Sequence, residues 1–333
     1  MEKILTVVIP SYNTDAYIEE CMPSFLDEKI LGDVEILIIN DGSKDNTASL
    51  AEKYAEKYPD TIRVITKENG GHGSVINRGI EEAKGKYFKV VDGDDWVITE
   101  NFVKLVENLK QIEVDLVLNP YVKHHIIRKT ESIEESQIKD YGVVKQFDEV
   151  AKELNPLELH RITFRTSILK DNQIKMQEKC YYEDSEYDLY PTPYINTVVF
   201  YEEPVYVYRI GSPTQSVNMG NAVKNLDMHY IILKNMIKFY HNLPSDISKE
   251  KRDYIIRFIV SRIQSHYGIY LKIKLGKDAR KGMMEFDKEL KELSGELYEK
   301  SMTLPIRLVR SKLWICYFVA YMSFKVKRMK RGF

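Results

Sequence analysis

The chain has 333 residues, which is enough for one large or two modest domains with a substantial core. Its 49 basic and 50 acidic residues nearly cancel, so no overall positive field attracts nucleic acid. Cys21, Cys180 and Cys316 lie far apart without paired spacing, which argues against a disulfide framework or a zinc site. No charged leader with a cleavage site precedes the first apolar run, so we expect a cytoplasmic protein.

Four apolar runs in the first part of the chain have the length and composition of buried strands. Stretches with helical spacing separate them. This alternation predicts an α/β fold with a mostly parallel sheet and helices on both faces. The predicted strands cover residues 4–9, 34–39, 62–65 and 87–91, and the predicted helices cover residues 15–26, 47–58 and 74–84.

Polar or glycine-rich loops follow these strands, and in such sheets ligands bind beyond the carboxyl ends of the strands. Asp41 offers a carboxylate to a base or ribose, or else it caps the next helix together with Asp45. Gly70, Gly71 and Gly73 permit positive φ and close approach of a ligand. They form no GxGxxG fingerprint, and the chain has no GxxxxGK[ST] element of a P-loop enzyme.

Three carboxylates stand directly after the fourth strand, at Asp92, Asp94 and Asp95. Crowded carboxylates repel one another unless a cation lies among them, and a hard divalent ion that also takes phosphate oxygens suits such a place. The alternative is an Asp-rich turn that caps the helix beginning near Glu100. The pattern predicts a metal–diphosphate site.

Four blocks of sequence form a wider pattern over roughly the first hundred residues. The blocks are Val7–Asn13, Ile38–Thr47, Asn69–Gly71 with Asn77 and Gly79, and Gly85–Tyr87 leading into Asp92–Asp95. In this order and at these separations they resemble the family 2 glycosyltransferases with the GT-A fold. The resemblance implies an enzyme of the hexosyltransferase class that uses a nucleotide-sugar donor, usually a UDP-sugar, and inverts the anomeric carbon.

The resemblance also implies a divalent cofactor, Mn²⁺ or Mg²⁺, held by Asp92 and Asp94 of a DxD element, with Asp94 as the direct ligand. Many relatives carry arginine immediately before the asparagine that matches Asn77. Ile76 stands there in this chain, with Arg78 one place further on, so that donor contact is not carried over. The residues assigned to the nucleotide-sugar are Pro10, Tyr12, Asn13, Asp41, Gly70, Gly71, Asn77, Asp92, Gly93, Asp94 and Arg209.

A second chemical stretch contains Glu183 and Asp184 at the start of a predicted helix. Inverting transfer needs a base that takes the proton of the acceptor hydroxyl as it attacks, and a carboxylate suffices. The pair matches the family's Glu-Asp pair, which makes Asp184 the predicted base, with Glu183 orienting it or contacting the acceptor. The alternative is an acidic pair favoured by the helix macrodipole.

Weaker patterns point to other contacts. His160, Asp95 and Trp96 are the predicted acceptor contacts, although a lone histidine is more often structural. Arg209 stands before a loop that closes over donor phosphates in relatives, and an exposed turn is the alternative. The charged stretch 123–146 fits either an anionic acceptor or the solvated face of a hairpin.

The composition changes to long helices near residue 225. The sequence predicts a GT-A catalytic domain over residues 1–220, with a nucleotide-sugar half to residue 98 and an acceptor half from residue 99. A helical bundle follows over residues 221–304, and a basic amphipathic tail over residues 305–333.

The tail contains an apolar stretch of twelve residues, 313–324, beside a basic cluster. About twenty residues are needed to span a bilayer, so we expect an interfacial helix on an anionic leaflet. The alternative is a core-packing or dimer-forming helix with a solvated tail. The first interpretation places the protein peripherally on the inner face of the plasma membrane.

The combined pattern predicts transfer of a sugar to a glycan or lipid-linked acceptor in surface polysaccharide synthesis. One alternative is a sugar nucleotidyltransferase, which usually carries a glycine-rich basic loop after its first strand. Another is a non-catalytic scaffold that retains the fold. The sugar, the linkage and any oligomer stay open.

Overall fold

The computed structural model describes residues 3–211, 219–271 and 277–311. The chain divides into two compact units, Met1–Pro213 with Ser248–Lys251, and Thr214–Ile247 with Arg252–Phe333. Across the described ranges, no helix is long and apolar enough to cross a membrane. The predicted interfacial helix at residues 313–324 lies outside the described residues, and its membrane contact stays a prediction.

Among the described residues, strands and helices alternate in the first unit, and the second unit contains helices. The strands are β1 Lys3–Ser11, β2 Val34–Asn40, β3 Ile62–Thr66, β4 Gly85–Val90, β5 Trp96–Val97, β6 Leu116–Leu118, β7 Tyr121–His125, β8 Thr130–Glu134, β9 Lys145–Gln146, β10 Ile162–Arg165, β11 Thr197–Phe200 and β12 Tyr206–Ile210. The helices are α1 Asp15–Cys21, α2 Thr47–Lys57, α3 His72–Glu82, α4 Thr99–Gln111, α5 Phe147–Ala151, α6 Thr166–Asp171, α7 Asp184–Leu189, α8 Met219–Lys224, α9 Leu226–His241, α10 Lys249–Tyr270, α11 Lys277–Leu293, α12 Gly295–Lys300 and α13 Leu304–Arg310.

The main sheet has eight strands in the order β3-β2-β1-β4-β10-β6-β11-β9. The first four strands along the chain pair in parallel, which confirms the predicted α/β architecture. Every residue of β2 is buried, as expected of a continuous apolar run covered on both faces. The carboxyl ends of these four strands therefore share one edge of the sheet.

Two features of the first unit differ from the simplest parallel sheet. Strand β10 runs antiparallel between β4 and β6, because the chain returns to the sheet through a 3₁₀ turn at Leu159–Arg161. A second sheet with the order β5-β12-β7-β8 packs its first strands beside the acidic turn after β4. Strands β7 and β8 form the hairpin, in which His124 pairs with Glu131 at 2.8 Å.

The second unit is helical, and its core contains two buried histidines. His266 on α10 and His229 on α9 place their Nδ1 atoms 3.0 Å apart, and Phe286 packs on His266 at 4.3 Å between ring centroids. Burial lowers the pKa of His229 to about 4, and Arg262 adds to the effect. The pKa of His266 also lies well below its usual value, because of burial and then His229. Both imidazoles are therefore neutral at pH 7.

Acid is expected to loosen this helical unit. The unfolded chain binds a proton on His229 near pH 6.5, whereas the folded chain resists protonation down to about pH 4. Stability is therefore fully present above pH 6.5 and is lost as the pH falls, by about 2 kcal/mol at pH 5 from His229 alone. Hydrogen exchange of peptides that contain His229 and His266, corrected for intrinsic rates, measures this loss. Equal opening free energies at pH 7.5 and pH 5 would contradict it.

Candidate active site

The acidic turn after β4 lies at the shared edge of the main sheet. The Gly93 N–H donates to the Pro10 carbonyl at 3.0 Å, which joins the ends of β1 and β4. A Cβ on Gly93 would lie 2.7 Å from the same carbonyl oxygen, so only glycine fits. The turn therefore places Asp92 and Asp94 directly beyond the strand ends, as the sequence predicts.

Asp95, the third acid of the turn, is buried and hydrogen-bonded on both carboxylate oxygens. It is 1 % exposed, its Oδ2 accepts the Tyr206 hydroxyl at 2.6 Å, and its Oδ1 accepts the Arg209 N–H at 2.7 Å. Both oxygens thus hold strand β12 against the acidic turn. An acceptor would have to compete with these two protein donors, and the acceptor contact predicted for Asp95 stays a prediction.

Burial and, after it, mutual repulsion disfavour the charged forms of Asp94 and Asp95 in this turn. Burial and the neighbouring Asp92 raise the pKa of Asp94 to about 6. Burial, Asp94 and Asp92 raise the pKa of Asp95 well above its usual value. Burial also opposes the charge of Asp92, but the adjacent His72 and then His160 keep its pKa below normal. A cation beside these groups would relieve the repulsion.

His160 brings an imidazole to the same acids. Potential ligand atoms of Asp92, Asp95 and His160 lie within 4.8 Å of one another. The ring stacks on Tyr121 with 4.9 Å between centroids, and burial lowers its pKa to about 4. Its Nδ1 is buried and has no hydrogen-bond partner among the described residues. Carboxylate oxygens together with one neutral imidazole nitrogen are ligands that suit Mn²⁺ or Mg²⁺. The side chains present here therefore fit a divalent ion.

His72 joins the two chemical stretches of the sequence. Its Nε2 lies 2.8 Å from Asp92 Oδ1, and its Nδ1 lies 2.7 Å from Glu183 Oε1. Burial works against its charge, but the two carboxylates raise the pKa of His72 well above its usual value. The predicted metal-binding turn and the predicted base segment therefore meet across one imidazole ring.

Asp41 and the glycine loop form a single hydrogen-bonded unit. The Asp41 carboxylate accepts the N–H groups of Gly70 at 2.9 Å and Gly71 at 2.8 Å, and the Lys67 ammonium at 2.6 Å. Asp41 is buried, with 3 % exposure. In this structure the Asp41 carboxylate holds the glycine loop. A base or ribose that binds Asp41 would have to share the carboxylate with these three donors.

The glycine loop packs on the segment that leads to Glu183. Gly71 has φ +82°, and a Cβ there would lie 3.3 Å from the Lys179 nitrogen. Asn77 uses both ends of its amide on Met176, accepting the N–H at 2.8 Å and donating to the carbonyl at 3.0 Å. The close approach made by these residues is therefore to the protein's own segment 176–183. The donor contacts predicted for Gly70, Gly71 and Asn77 stay predictions.

Gly73→Ala is expected to destabilise the chain by about 1–3 kcal/mol, since an overpacked site must push its neighbours apart. The new Cβ would lie 2.3 Å from the Gln177 carbonyl oxygen and 2.9 Å from Glu183 Cγ. Gly32→Ala is the matched control, because no atom lies within 4 Å of its Cβ position. Urea unfolding measures both variants. Equal midpoints for the two variants would show that segment 176–183 does not pack here.

The two predicted catalytic carboxylates differ in exposure. Glu183 is 4 % exposed and its Oε2 is buried without a hydrogen-bond partner among the described residues. Asp184 is exposed at the first residue of α7, and its Oδ1 accepts the Ser185 N–H at 2.8 Å. Burial raises the pKa of Tyr208, and the negative charges of Asp95, Asp92, Asp184 and Asp94 add to the effect, so all four carboxylates act on one phenol.

The guanidinium of Arg209 contacts other groups of the protein on several sides. Its Nε donates to the Asp94 carbonyl at 2.7 Å, its Nη2 pairs with Glu20, and Trp96 lies 4.7 Å from the guanidinium. The side chain is 11 % exposed, so the predicted diphosphate contact stays a prediction. Trp96 is half-buried and meets the ring of His124.

The remaining predicted donor residues lie at the end of β1. Pro10 is buried within the strand, and Tyr12 is 51 % exposed. Asn13, with φ 54°, accepts the Lys44 N–H and so holds the loop after β2. The Tyr12 ring therefore lies largely outside the core, at the edge shared by the strand ends, and the donor contacts predicted for Pro10, Tyr12 and Asn13 stay predictions.

The sequence predicts no role for two residues that contact the site, His72 and Lys89. His72 stood inside the glycine loop, and its place beside Gly71 was the signal that it would face the strand ends. Lys89 was a lone charge in an apolar strand. It is fully buried, donates to the carbonyls of His160 and Ile162, and has its pKa lowered to about 7 by burial.

Comparison with known sequences matches residues 6–155 to the profile of Glycosyl transferase family 2. A protein of Bacillus subtilis (strain 168) named uncharacterized glycosyltransferase EpsJ is 30 % identical over 214 residues. The aligned part is 63 % of this chain and 62 % of that relative, which is less than two thirds of its length.

Comparison with solved structures shows the same fold. S. aureus TarS 1-349, solved in complex with UDP-GlcNAc, has a TM-score of 0.65 at 17 % identity and is matched over 99 % of this chain and 92 % of its own. The mannosyltransferase PcManGT from Pyrobaculum calidifontis, solved with GDP-Man and Mn²⁺, has a TM-score of 0.52 at 13 % identity, over 99 % and 88 % of the two chains.

Proposed function

Because residues 6–155 belong to glycosyl transferase family 2, we propose that the chain is a glycosyltransferase that moves a sugar from a nucleotide-diphosphate donor to an acceptor hydroxyl. One observation carries the proposal. The acidic turn at Asp92 and the Glu183–Asp184 segment contact the same imidazole, that of His72. A diphosphate that leaves at the acidic turn would then be a neighbour of a hydroxyl that attacks beside the Glu183–Asp184 segment.

The donor proposed here is a UDP-sugar. The exposed ring of Tyr12 and the loop held by Asp41 lie at the strand ends, where α/β sheets bind nucleotides. The UDP-GlcNAc bound to TarS supports a donor with uridine as its nucleoside. PcManGT binds GDP-Man, so a GDP-sugar is the competing donor that the screen below must test.

The divalent cation proposed here is Mn²⁺ or Mg²⁺, held by Asp92 and Asp94. The raised pKa of Asp94 and the buried, unpartnered Nδ1 of His160 support a cation beside the turn. When bound, the ion neutralises the charge that develops on the departing diphosphate. The Mn²⁺ in PcManGT is consistent with this choice.

Asp184 is the proposed base. The acceptor oxygen attacks the anomeric carbon from the face opposite the diphosphate, the bond from that carbon to the phosphate oxygen breaks, and its electron pair leaves with the diphosphate. The hydroxyl proton passes to the Asp184 carboxylate as the new bond forms. The exposure of Asp184 supports this role, while the buried Glu183 stays on His72. Attack from that side inverts the anomeric carbon.

The acceptor class proposed here is a glycan or a lipid-linked glycan of a surface polysaccharide. Trp96 is half-buried near the acidic turn, and aromatic rings of this kind pack well against sugar rings. Peripheral membrane contact through the tail would bring a lipid-linked acceptor to this site.

A screen of nucleotide-sugars tests the proposal. Wild-type protein is incubated with UDP-, GDP- and dTDP-sugars with Mn²⁺ or with a chelator, and the released nucleoside diphosphate is measured. We expect metal-dependent release from UDP-sugars. Release of pyrophosphate from nucleoside triphosphates and sugar 1-phosphates would instead indicate a nucleotidyltransferase. No release from any donor would support the scaffold alternative.

A further inference from the structure

We infer that His72 is a positioning residue that ties the Asp92 carboxylate to the Glu183 carboxylate and so fixes the two ends of the site relative to each other. The inference rests on the proposed function, because it assigns a role to a residue within that same site. His72 contacts carboxylates on both sides of the site and acts through them.

The contacts are short on both sides of the ring. Nδ1 lies 2.7 Å from Glu183 Oε1, and Nε2 lies 2.8 Å from Asp92 Oδ1. The two carboxylates belong to segments that are far apart in the chain and otherwise have separate supports. Each has one oxygen held by the imidazole, so the direction of its second oxygen is set by His72.

The backbone beneath His72 is clamped to the segment that carries Glu183. Helix α3 begins at His72, and the Lys179 N–H donates to the Gly70 carbonyl at 2.7 Å. The Asn77 amide holds Met176 from one turn further along α3. Because the backbone beneath it is held in this way, the imidazole of His72 has little freedom to change its orientation. A group that positions reactive side chains needs such restriction.

The free oxygen of Glu183 is a separate observation that points to a ligand. Glu183 Oε2 is buried and has no hydrogen-bond partner among the described residues, although buried carboxylate oxygens are normally satisfied. His72 occupies the other oxygen, so Oε2 is the atom left for a group that arrives with substrate. Without His72, the hydrogen bond that fixes the direction of the Glu183 carboxylate would be lost.

Metal binding gives a readout that does not depend on turnover. Groups that hydrogen-bond to a metal ligand typically contribute about 10–100-fold to metal affinity. Loss of the imidazole would free Asp92 to rotate, and we expect Mn²⁺ to bind about 10–100-fold more weakly in the presence of UDP. A purely structural role would lower the melting temperature and leave the Mn²⁺ affinity unchanged.

The experiment compares His72→Ala, His72→Gln and the control His241→Ala. His241 is exposed in the other unit and contacts the Leu293 carbonyl. Calorimetry with Mn²⁺ and UDP gives the affinity, and transfer kinetics give kcat and KM. We expect His72→Ala to lower kcat at least about tenfold with little change in donor KM, and His72→Gln, which keeps one polar arm, to recover part of both losses.

A double-mutant cycle with Glu183→Gln shows whether His72 acts through Glu183. The second substitution should cost less in His72→Ala than in wild type. Wild-type Mn²⁺ affinity and kcat in His72→Ala would overturn the inference. Wild type that binds Mn²⁺ and UDP but transfers nothing would contradict the proposed function, while the affinity of His72→Ala would still decide the role of His72.

Discussion

Asp184→Asn is expected to lower the rate of sugar transfer by about 10²–10⁴-fold, the usual contribution of a positioned general base. Asparagine keeps the size of the side chain and can still accept the Ser185 N–H that Asp184 Oδ1 accepts at 2.8 Å. It cannot take a proton from the acceptor. Because Asp184 is exposed, the fold should not depend on its charge.

Steady-state kinetics with a saturating donor measure this effect, and UDP affinity by calorimetry should stay close to wild type. Asp171→Asn is the matched control, since Asp171 is an exposed aspartate at the end of α6. Full activity of Asp184→Asn would remove Asp184 from the mechanism. Glu183, which has one buried oxygen without a partner, would then become the candidate base.

Asp94→Asn is expected to weaken Mn²⁺ binding by more than about 100-fold, because loss of a direct ligand exceeds the loss of a group that only orients one. Burial and Asp92 raise the pKa of Asp94 to about 6, so the carboxylate is charged at pH 7.5 and available to a cation. Removal of one charge also relieves repulsion within the turn. The variant should therefore fold at least as well as wild type.

Calorimetry with Mn²⁺ at pH 7.5 in the presence of UDP measures the loss, and thermal melting without metal checks the fold. The Asp171→Asn variant again serves as the control. Unchanged Mn²⁺ affinity in Asp94→Asn would move the ion to the other group of ligand atoms, those of Asp92, Asp95 and His160. In that arrangement neither a ligand atom nor the charge of Asp94 would contribute to metal binding.

The first half of the fold could be predicted because its signals are local. Strands β1 to β4 are mostly apolar runs. A parallel strand that is buried on both faces can be recognised from such a run alone. The antiparallel insertion of β10 between β4 and β6 could not be predicted. The neighbours of a four-residue strand such as β10 depend on how the chain returns to the sheet. The spacing of apolar residues carries no information about that return.

The chemistry of the site could be predicted by residue type but not by partner. Asp92, Asp94 and Asp95 look alike in sequence, yet Asp95 alone of the three accepts the Tyr206 hydroxyl and the Arg209 N–H. Those partners come from a strand more than a hundred residues away. The same holds for His72, whose two carboxylate partners only the folded chain brings together.

One break within the helical bundle, whose residues 221–304 the sequence predicts only as a whole, lies between α11 and α12. Helix α11 ends at Leu293 and α12 begins at Gly295. Ser294 has an extended backbone, and its hydroxyl accepts the Leu297 N–H as the cap of the second helix. A serine before glycine was the local signal, and apolar spacing that continued across it concealed the break.

The most direct test is anomalous diffraction at the manganese edge from crystals soaked with Mn²⁺ and UDP. The proposed function predicts one peak beside the carboxylates of Asp92 and Asp94, in contact with the terminal phosphate and across His72 from Glu183. A peak elsewhere, or diphosphate bound at the strand ends with no metal beside it, would contradict the account.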